Sequence, residues 1–560
     1  MKFHNDWLML VAILACSVSI YGYPLALPTP LLDPDEGLHA SIAQEMVENG
    51  DYVVPRLQGA PFLDKPILYF AAQAHSLKMF GMNEAAVRLP GFLFALLGVA
   101  TTALLAGRMF DRLTGLVAAL VALTLVVPLA LAQAAAHDIA LVPWTNLLLL
   151  CWWEADRSGS LRKRLLLTVS ASGLVALALL TKGLIGIAIV SVGYSMFVLL
   201  SRQITVPLAA RFISTLSVGS ALASPWFMAM EQSAPGYLWY YFVERHFSGF
   251  VSEAQQHGGE PWHYYLPILI GGTMPWILYL GPGLWQSWLD QRQSQHKREI
   301  SAVLFALCWL VGGLLFLSVA GSKLITYALP LFPAIAILAG YSFKRYFEYE
   351  LSEKVDIVFT RMFQFVCIIG CIAPVATLLV TDYFLQVDSS APAYLLALLA
   401  GAVMLAAIFL VRRGRRYASV AVGSMWFALF FIFMMTWPLQ RVAQQYSQKS
   451  LGIQLADLLE LPEQVLLVDG GKRIASVIFY LTKEQRRSLQ SGQIVTATSA
   501  NFDQGCIFPA DTILAITDSA LGESQNPLVK KLAETEVSQG SWRLVRLPMS
   551  FAGRSEKQTW

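Results

Sequence analysis

Charged residues are scarce in this chain. Asp, Glu, Lys and Arg make up only 14% of its 560 residues, whereas soluble domains carry about 25%. This shortage excludes a water-soluble globule of this size, and the 56% of hydrophobic residues excludes a disordered chain. Because the mean hydropathy is +0.55, the composition predicts a polytopic membrane protein.

Other common features are also missing. The six cysteines are scattered singly, and no pair has the spacing of a zinc site or a disulfide framework. The formal net charge of only +3 argues against bulk binding to nucleic acid. The sequence has no Gly-rich phosphate loop and no internal repeat of the kind from which many transporters are built. The function must therefore be sought in the polar residues between the apolar runs.

About thirteen runs are long and apolar enough to span a bilayer, which takes about 20 residues. They are centred on residues 7–27, 89–107, 113–131, 139–153, 165–181, 183–201, 208–228, 264–286, 301–320, 325–343, 357–380, 392–411 and 418–437. We expect the first to be an uncleaved span. From Gln440 onward, strand-like runs such as 465–468 alternate with helix-like ones. We therefore predict an α-helical membrane domain over 1–439, with external loops at about 28–88 and 231–263, and an α/β domain over 440–560.

Basic residues fall on one side of this predicted layout. With about thirteen spans, every Lys/Arg cluster lies on the same side as the N-terminus, and such an excess marks the cytoplasmic side. The clusters are Arg108/Arg112, Arg157/Arg162/Lys163/Arg164, Arg202, Arg292/Lys297/Arg298, Lys344/Arg345 and Arg412/Arg413/Arg415/Arg416. The C-terminal domain then lies outside the cell membrane, in the periplasm of a Gram-negative cell.

Polar residues collect on the outer side in three places. These are the first loop with Asp33-Pro34-Asp35-Glu36 and Asp64-Lys65, the junction His137-Asp138, and the third loop with Glu244-Arg245-His246 and the stretch His257–His263. In the first loop, apolar residues recur at helical spacing over 38–49, which predicts a helix lying on the membrane surface.

Three lysines, Lys65, Lys182 and Lys323, fall at the outer ends of spans, where positive residues are disfavoured. Each amine either snorkels to water along the lipid or takes part in an anion site. Because three lysines share a face with carboxylates and histidines, we expect a site for a phosphate held at the membrane surface.

The carboxylates of this face have two interpretations. In one, an aspartate of the turn Asp33-Pro34-Asp35-Glu36 caps the helix that begins near Leu38, a role that Asp33 alone can fill, and Asp138 caps the fourth span. In the other, Asp35 and Asp138 each accept a proton from a nucleophile. Spacing alone does not choose between them. A divalent metal is also left open, because no tight ligand motif is formed by the available side chains His137, His246, His257, His263, Asp64 and Glu260.

The order of these motifs resembles that of the bacterial polyprenyl-phosphate-dependent glycosyltransferases, which are related to 4-amino-4-deoxy-L-arabinose transferase and to protein O-mannosyltransferases. The resemblance covers roughly residues 1–345. Each piece is weak alone, but the ordered set is specific. The pieces include Asp35-Glu36, Pro55-Arg56-Leu57, Asp64-Lys65-Pro66, His137-Asp138, Leu180-Thr181-Lys182-Gly183, Glu244-Arg245-His246, His257-Gly258 and Ser322-Lys323-Leu324 through Tyr327.

The resemblance implies the membrane-embedded GT-C fold, with about thirteen spans and an external C-terminal domain. It implies that Asp35 is the catalytic carboxylate and Asp138 the second acidic residue, and that Lys65 and Tyr327 face the lipid phosphate. Lys182 and Lys323 are expected to assist at the phosphate. An acidic residue before the lysine has been linked in this family to a metal, for which the candidates here are Asp64, His257 and His263. The other site candidates are Glu36, Arg56, Glu244, His246 and His257.

We therefore expect an inverting glycosyltransferase in the bacterial inner membrane. It would move a sugar from a polyprenyl-phosphate donor to a lipid, glycan or protein acceptor on the outer face, lipid A modification being one such reaction. Apart from the metal, no cofactor is expected. The alternatives are a transporter or flippase of a lipid-linked sugar and a noncatalytic scaffold. A transporter usually places ionisable residues near mid-bilayer, whereas here they lie at span ends.

Overall fold

The structure, a computed structural model, describes residues 2–27, 29–251, 259–292, 297–385, 391–440, 443, 447–458, 464–468, 475–488, 493–497, 512–517 and 542–546. The chain divides into two compact units. The helical unit comprises Met1–Leu27, Leu63–Tyr69 and Arg88–Gln440, and the mixed unit comprises Pro28–Phe62, Phe70–Val87 and Arg441–Trp560. Functional domains over 1–439 and 440–560 stay a prediction.

Long apolar helices build the helical unit. Nine helices in the described ranges are long and apolar enough to cross a membrane, and two bent pairs raise the number to 11. The nine are Met9–Ala26, Glu84–Met109, Leu161–Lys182, Val206–Ser233, Arg298–Val319, Ile325–Phe347, Glu353–Tyr383, Ala391–Arg412 and Arg416–Gln440. The pairs are Arg112–Leu123 with Val126–Gln133, bent by 57°, and Tyr265–Gly272 with Trp276–Asp290, bent by 91°. The chain is thus a multi-span α-helical membrane protein.

Two of the predicted runs lie on shorter helices. Leu141–Arg157 and Leu184–Leu200 each contain 17 residues, whereas an untilted span needs about 20. Every predicted run coincides with a described helix or bent pair. The count of about thirteen spans itself stays a prediction, because these two helices are too short to decide it.

Three breaks interrupt the helical unit at polar residues. The first break is at Gly183, which follows the last residue of the Leu161–Lys182 helix and has a φ of +77° that favours glycine. The basic residue Arg162 lies at the other end of this helix. The 3₁₀ turns His137–Ala140 and Ile325–Leu331 precede the helices Leu141–Arg157 and Phe332–Phe347. Both of those helices carry basic residues in their last turn, so all three breaks lie at the helix ends away from the basic clusters.

The mixed unit contains a hairpin and a sheet. Strands β1 (Arg56–Leu57) and β2 (Ala60–Pro61) form the hairpin. Strands β3 (Gln464–Val468), β4 (Ile494–Ala497), β5 (Thr512–Thr517) and β6 (Trp542–Arg546) form a sheet in the order β4-β3-β5-β6, parallel except for β6. Its helices are Asp35–Asn49, most of Ile67–Phe80, Lys449–Ala456, Ser476–Tyr480 and Lys483–Ser488. Aliphatic side chains from the helices Lys449–Ala456 and Ser476–Tyr480 and from β3, β4 and β5 form a core cluster of this unit.

The Asp35–Asn49 helix is buried on more than one face. Ile42 and Met46 are buried, but so are Ser41 and Gln44, which lie among the polar positions of its sequence. The Ser41 hydroxyl donates a hydrogen bond of 2.9 Å to the carbonyl oxygen of Ala475. This differs from the membrane-surface helix expected from the sequence, because the C-terminal segment covers the polar side and periodicity cannot reveal such a partner.

Candidate functional site

A cavity of about 360 Å³ lies in the helical unit at the breaks after Lys182 and before Tyr327. One wall comes from the π-helix Trp239–Ser248 and the short helix Gly249–Val251 that follows it. Most of the lining is aromatic or aliphatic, but three cationic side chains also reach it. The lining residues are Asp64, Lys65, Lys182, Leu184, Ile185, Ala188, Tyr241, Phe242, Arg245, His246, Phe247, Gly249, Phe250, Phe316, Leu317, Ala320, Ser322 and Tyr327.

Lys182 and Asp138 form a buried ion pair at one side of this cavity. The side chains are only 6% and 9% exposed. The same amine lies 3.4 Å from the Thr326 hydroxyl and 4.6 Å from the centre of the Tyr327 ring. Asp138 makes no capping hydrogen bond to the following helix. The capping role, one of the two interpretations of Asp138 from the sequence, is therefore not observed.

Asp64 joins two residues of the π-helix. Its Oδ1 accepts a hydrogen bond of 2.6 Å from the Tyr240 hydroxyl, and its Oδ2 lies 3.5 Å from Nη2 of Arg245. Burial, together with the hydrogen bond to the negative Asp64, raises the pKa of Tyr240 to about 12. Lys65, next to Asp64 in sequence, is half-buried and lines the cavity.

His246 packs against the turn at Gly183. Its Nδ1 lies 2.6 Å from the carbonyl oxygen of Tyr241, and the two rings are 4.6 Å apart. Burial lowers the pKa of His246, and the charges of Lys65 and Arg245 act in the same direction. The imidazole is therefore neutral at pH 7 and adds no charge to the cavity.

Lys323 lies outside the cavity lining. Its side chain is 6% exposed, and its amine donates to the carbonyl oxygens of Ala320 at 2.6 Å and Glu260 at 3.1 Å. The amine thus links the end of the third external loop to the turn before Tyr327. These contacts favour a structural role for Lys323 over the expected role at the phosphate.

Asp35 and Glu36 lie in the first turn of the Asp35–Asn49 helix, in the mixed unit. Asp35 is exposed, and a negative charge at this end of a helix is favourable. Glu36 is buried, and its Oε2 accepts a hydrogen bond of 2.9 Å from the backbone N–H of Leu32. The residue at the cap position is Pro34, and no side chain caps the helix.

Asp33 has a different partner from the one expected. Its Oδ1 accepts a hydrogen bond of 2.9 Å from the backbone N–H of Ser476, and its Oδ2 accepts one from the Ser476 hydroxyl. Burial raises the pKa of Asp33 to about 6, although both hydrogen bonds oppose that shift. Asp33 therefore ties the first loop to the Ser476–Tyr480 helix and caps nothing at Leu38.

The remaining candidates are dispersed. Arg56 lies on β1, with Nη1 donating to the carbonyl oxygen of Gly59 at 3.2 Å. Glu244 is exposed and does not line the cavity. His263 is exposed with its ring against Trp262, and His257 lies outside the described residues. Within the part of the chain that the structure describes, no three His, Cys, Asp or Glu residues are grouped as a metal site requires.

The cavity residue Arg245, and Tyr240, which contacts the cavity residue Asp64, were missed by reasoning from the sequence. Arg245 was flanked by two candidates, Glu244 and His246, but was not selected. The signal was available, because a basic residue on the predicted outer side is as unexpected as the three lysines. Tyr240 gave no such signal, since its hydroxyl acquires a role only through the tertiary contact with Asp64.

Comparisons with known proteins show what this chain is similar to. Residues 64–228 match the family model described as dolichyl-phosphate-mannose-protein mannosyltransferase. An undecaprenyl phosphate-alpha-4-amino-4-deoxy-L-arabinose arabinosyl transferase from Aeromonas salmonicida is 31% identical over 56% of this chain. The chain matches only 56% of that relative's length. A second such transferase, from Proteus mirabilis, is 29% identical over 69% of this chain and 67% of its own.

The fold is also found in solved structures. The crystal structure of ArnT from Cupriavidus metallidurans bound to undecaprenyl phosphate superposes with a TM-score of 0.73 at 23% sequence identity. The superposition covers 98% of this chain and 99% of that one. A similarity of this extent shows that the two chains share the GT-C membrane fold.

Proposed function

We propose that this chain, a GT-C membrane protein similar to the polyprenyl-phosphate-dependent aminoarabinose transferases, is an inverting glycosyltransferase with a polyprenyl-phosphate sugar donor. The observation that carries the proposal is the cavity of the helical unit. It combines an aromatic and aliphatic wall, suited to a lipid chain, with Lys65, Lys182 and Arg245. This is the chemistry that a lipid-linked phosphate needs, because it must bury hydrocarbon and neutralise an anion at the same point.

The charges around this cavity favour an anion. Three cations face two carboxylates, Asp64 and Asp138, and His246 is neutral. Lys182 is buried beside Asp138, whereas Lys65 and Arg245 are only partly buried and can reach a ligand in the cavity. We therefore assign the donor phosphate to Lys65 and Arg245, with the Tyr327 hydroxyl as a further hydrogen-bond donor. These cations would offset the negative charge that develops on the departing polyprenyl phosphate.

Asp35 is the base that we assign to the acceptor. Its carboxylate would take a proton from the acceptor hydroxyl, or orient an acceptor phosphate, while the acceptor attacks the sugar C1 from the side opposite the phosphate. A single displacement of this kind inverts the anomeric centre. Asp138 is assigned a supporting role, since its charge holds the Lys182 amine. The acceptor class that we favour is a lipid, such as lipid A, on the periplasmic face of the inner membrane.

The test is sugar transfer by the purified protein. Incubation with a panel of polyprenyl-phosphate sugars, beginning with undecaprenyl-phosphate-linked 4-amino-4-deoxy-L-arabinose, should release polyprenyl phosphate only when a suitable acceptor is added. The Asp35→Asn variant should lose about 100- to 10,000-fold in turnover, which is the usual contribution of a general base. Its amide cannot take a proton, whereas donor binding should be unchanged.

Asp33→Asn is the matched control. It replaces the same side chain two residues away, and the amide oxygen can still accept from the Ser476 N–H, so substantial activity should be retained. If Asp33→Asn is inactive and Asp35→Asn is active, the catalytic carboxylate is Asp33, two residues before the position assigned here. Movement of intact donor across the bilayer without release of polyprenyl phosphate would support the transporter alternative instead.

A further inference from the structure

We infer that Asp64 is a positioning residue, which holds Arg245 and Tyr240 at the donor cavity, and that it is not a metal ligand in this chain. The inference rests on the proposed function, because it assigns a part of the phosphate site. It concerns the acidic residue before Lys65, whose position has been linked to a metal in the proteins that this sequence resembles.

Both oxygens of Asp64 face hydrogen-bond donors from the π-helix Trp239–Ser248. Tyr240 donates to Oδ1 at 2.6 Å, and Arg245 reaches Oδ2 at 3.5 Å. The Asp64 and Arg245 side chains are 26% and 22% exposed, so water screens their attraction only in part. Each carboxylate oxygen thus has its own partner, and both partners come from the same segment of the third loop.

The π-helical form of this segment explains the double contact. Tyr240 and Arg245 are five residues apart, and in an α-helix with 3.6 residues per turn they would point about 140° away from each other. A π-helix joins residue i to residue i+5 and so brings such a pair onto one face. That face meets Asp64, which holds Arg245 in the wall of the cavity. The π-helix therefore allows Asp64 to contact Tyr240 and Arg245 at the same time.

The same set of groups fits a metal ion poorly. Zinc sites use four ligands, usually nitrogen or sulfur atoms with some carboxylates. Here the neighbours of Asp64 include the Arg245 guanidinium, the lysine next to it in sequence, and the Tyr240 hydroxyl, which donates to Oδ1. Cations repel a divalent metal, and a hydroxyl that donates its proton to Asp64 offers the carboxylate a hydrogen bond and not a second metal ligand. Within the residues that the structure describes, no cluster of three His, Cys, Asp or Glu side chains supplies further ligands.

The experiment compares Asp64→Asn, Arg245→Gln and the double variant in the full-length protein. Undecaprenyl phosphate binding and the donor KM should each worsen by about tenfold in either single variant, with kcat changed less than about threefold. The double variant should be no worse than Arg245→Gln alone, because the two residues act as one unit. Tyr240→Phe, which removes only one hydrogen bond, should lose about threefold. Glu353→Gln, which removes an exposed charge from the first turn of the Glu353–Tyr383 helix and does not line the cavity, is the control.

Two further measurements separate the explanations. Amide hydrogen exchange over residues 239–248 should become faster in Asp64→Asn with no ligand present, so the positioning role can be judged even if no donor is turned over. Undecaprenyl phosphate binding and hydrogen exchange that both match the wild type would overturn the inference. So would zinc chloride that binds the wild type, fails to bind Asp64→Asn, and restores activity after treatment with EDTA.

Discussion

Asp33 shows at the residue scale how a buried carboxylate can be structural and yet resemble a catalytic one. It lies two residues before Asp35, and its pKa is raised to about 6 from an ordinary value of 3.8. A raised pKa is often a sign of a catalytic acid or base. Here its cause is burial, and the carboxylate accepts two hydrogen bonds from Ser476, which accounts for the residue without any reaction.

This burial predicts a pH dependence of stability. Because the folded state holds the proton of Asp33 more tightly than the unfolded state, the free energy of unfolding falls as the pH rises from about 4 to about 6 and stays low above that. The side-chain amide of the Asp33→Asn variant cannot ionise, so the free energy of unfolding of this variant does not fall for this reason. Its melting temperature, relative to that of the wild type, should therefore rise by a few degrees between pH 4.5 and pH 7.5. Parallel pH profiles for the two proteins would contradict the assignment.

The lysines show how far residue-level prediction reaches. Their unfavourable location on the predicted outer side was the signal, and Lys65 and Lys182 line the cavity. Lys323 gave the same signal, but its amine binds two backbone carbonyl oxygens. The position of a lysine in the sequence can indicate that its charge needs a partner. It does not identify that partner, because Ala320 and Glu260, whose carbonyl oxygens bind Lys323, come together only in the folded chain.

At the scale of elements, the helices were predictable and their breaks were not. Each apolar run is long enough to demand a helix in a bilayer, so hydropathy located them. The bends of 57° and 91° and the π-helix at Trp239–Ser248 depend on packing that leaves no periodic pattern in the sequence. The cavity is built from the π-helix and from the breaks after Lys182 and before Tyr327, which is why its residue list was less complete than the helix list.

The turn at Gly183 gives a prediction at this scale. A Cβ there would lie 2.6 Å from the Tyr241 hydroxyl and 2.7 Å from Nε2 of His246, at a φ of +77° that other residues rarely adopt. Gly183→Ala should therefore displace the π-helix from the Lys182 end, lower the melting temperature and weaken undecaprenyl phosphate binding. The backbone strain alone is worth about 1–3 kcal/mol.

Gly173 provides the matched control for that variant. It lies in the middle of the same Leu161–Lys182 helix, and a Cβ there would meet nothing within 4 Å. Gly173→Ala should be neutral or stabilising by about 0.5–1 kcal/mol, since alanine favours a helix. If both variants melt at the wild-type temperature and bind undecaprenyl phosphate normally, the Gly183 turn does not position the site.

At the scale of the whole molecule, the charge distribution suggests an orientation. The basic residues that lie at helix ends in the helical unit include Arg157, Lys344 and Arg345 in last turns and Arg416 at a first turn. Several are held by carboxylates there: Arg416 pairs with Asp356 at 2.7 Å, Lys344 with Glu348 at 3.1 Å, and Arg345 with Asp290. The cavity residues Lys182 and Tyr327 lie at the opposite ends of their helices.

This asymmetry yields a topology prediction for the chain. Cytoplasmic loops carry the Lys/Arg excess of a membrane protein, so the basic ends face the cytoplasm and the donor cavity faces the periplasm. If the two 17-residue helices Leu141–Arg157 and Leu184–Leu200 also cross the bilayer, the number of spans is odd. Alkaline phosphatase fused after residue 560 should then be active and green fluorescent protein dark, whereas fusions after Arg202 should behave in the opposite way. Because both short helices precede Arg202, an exchange of the two responses would show that one of them does not span the membrane, and it would place the C-terminal segment on the cytoplasmic face.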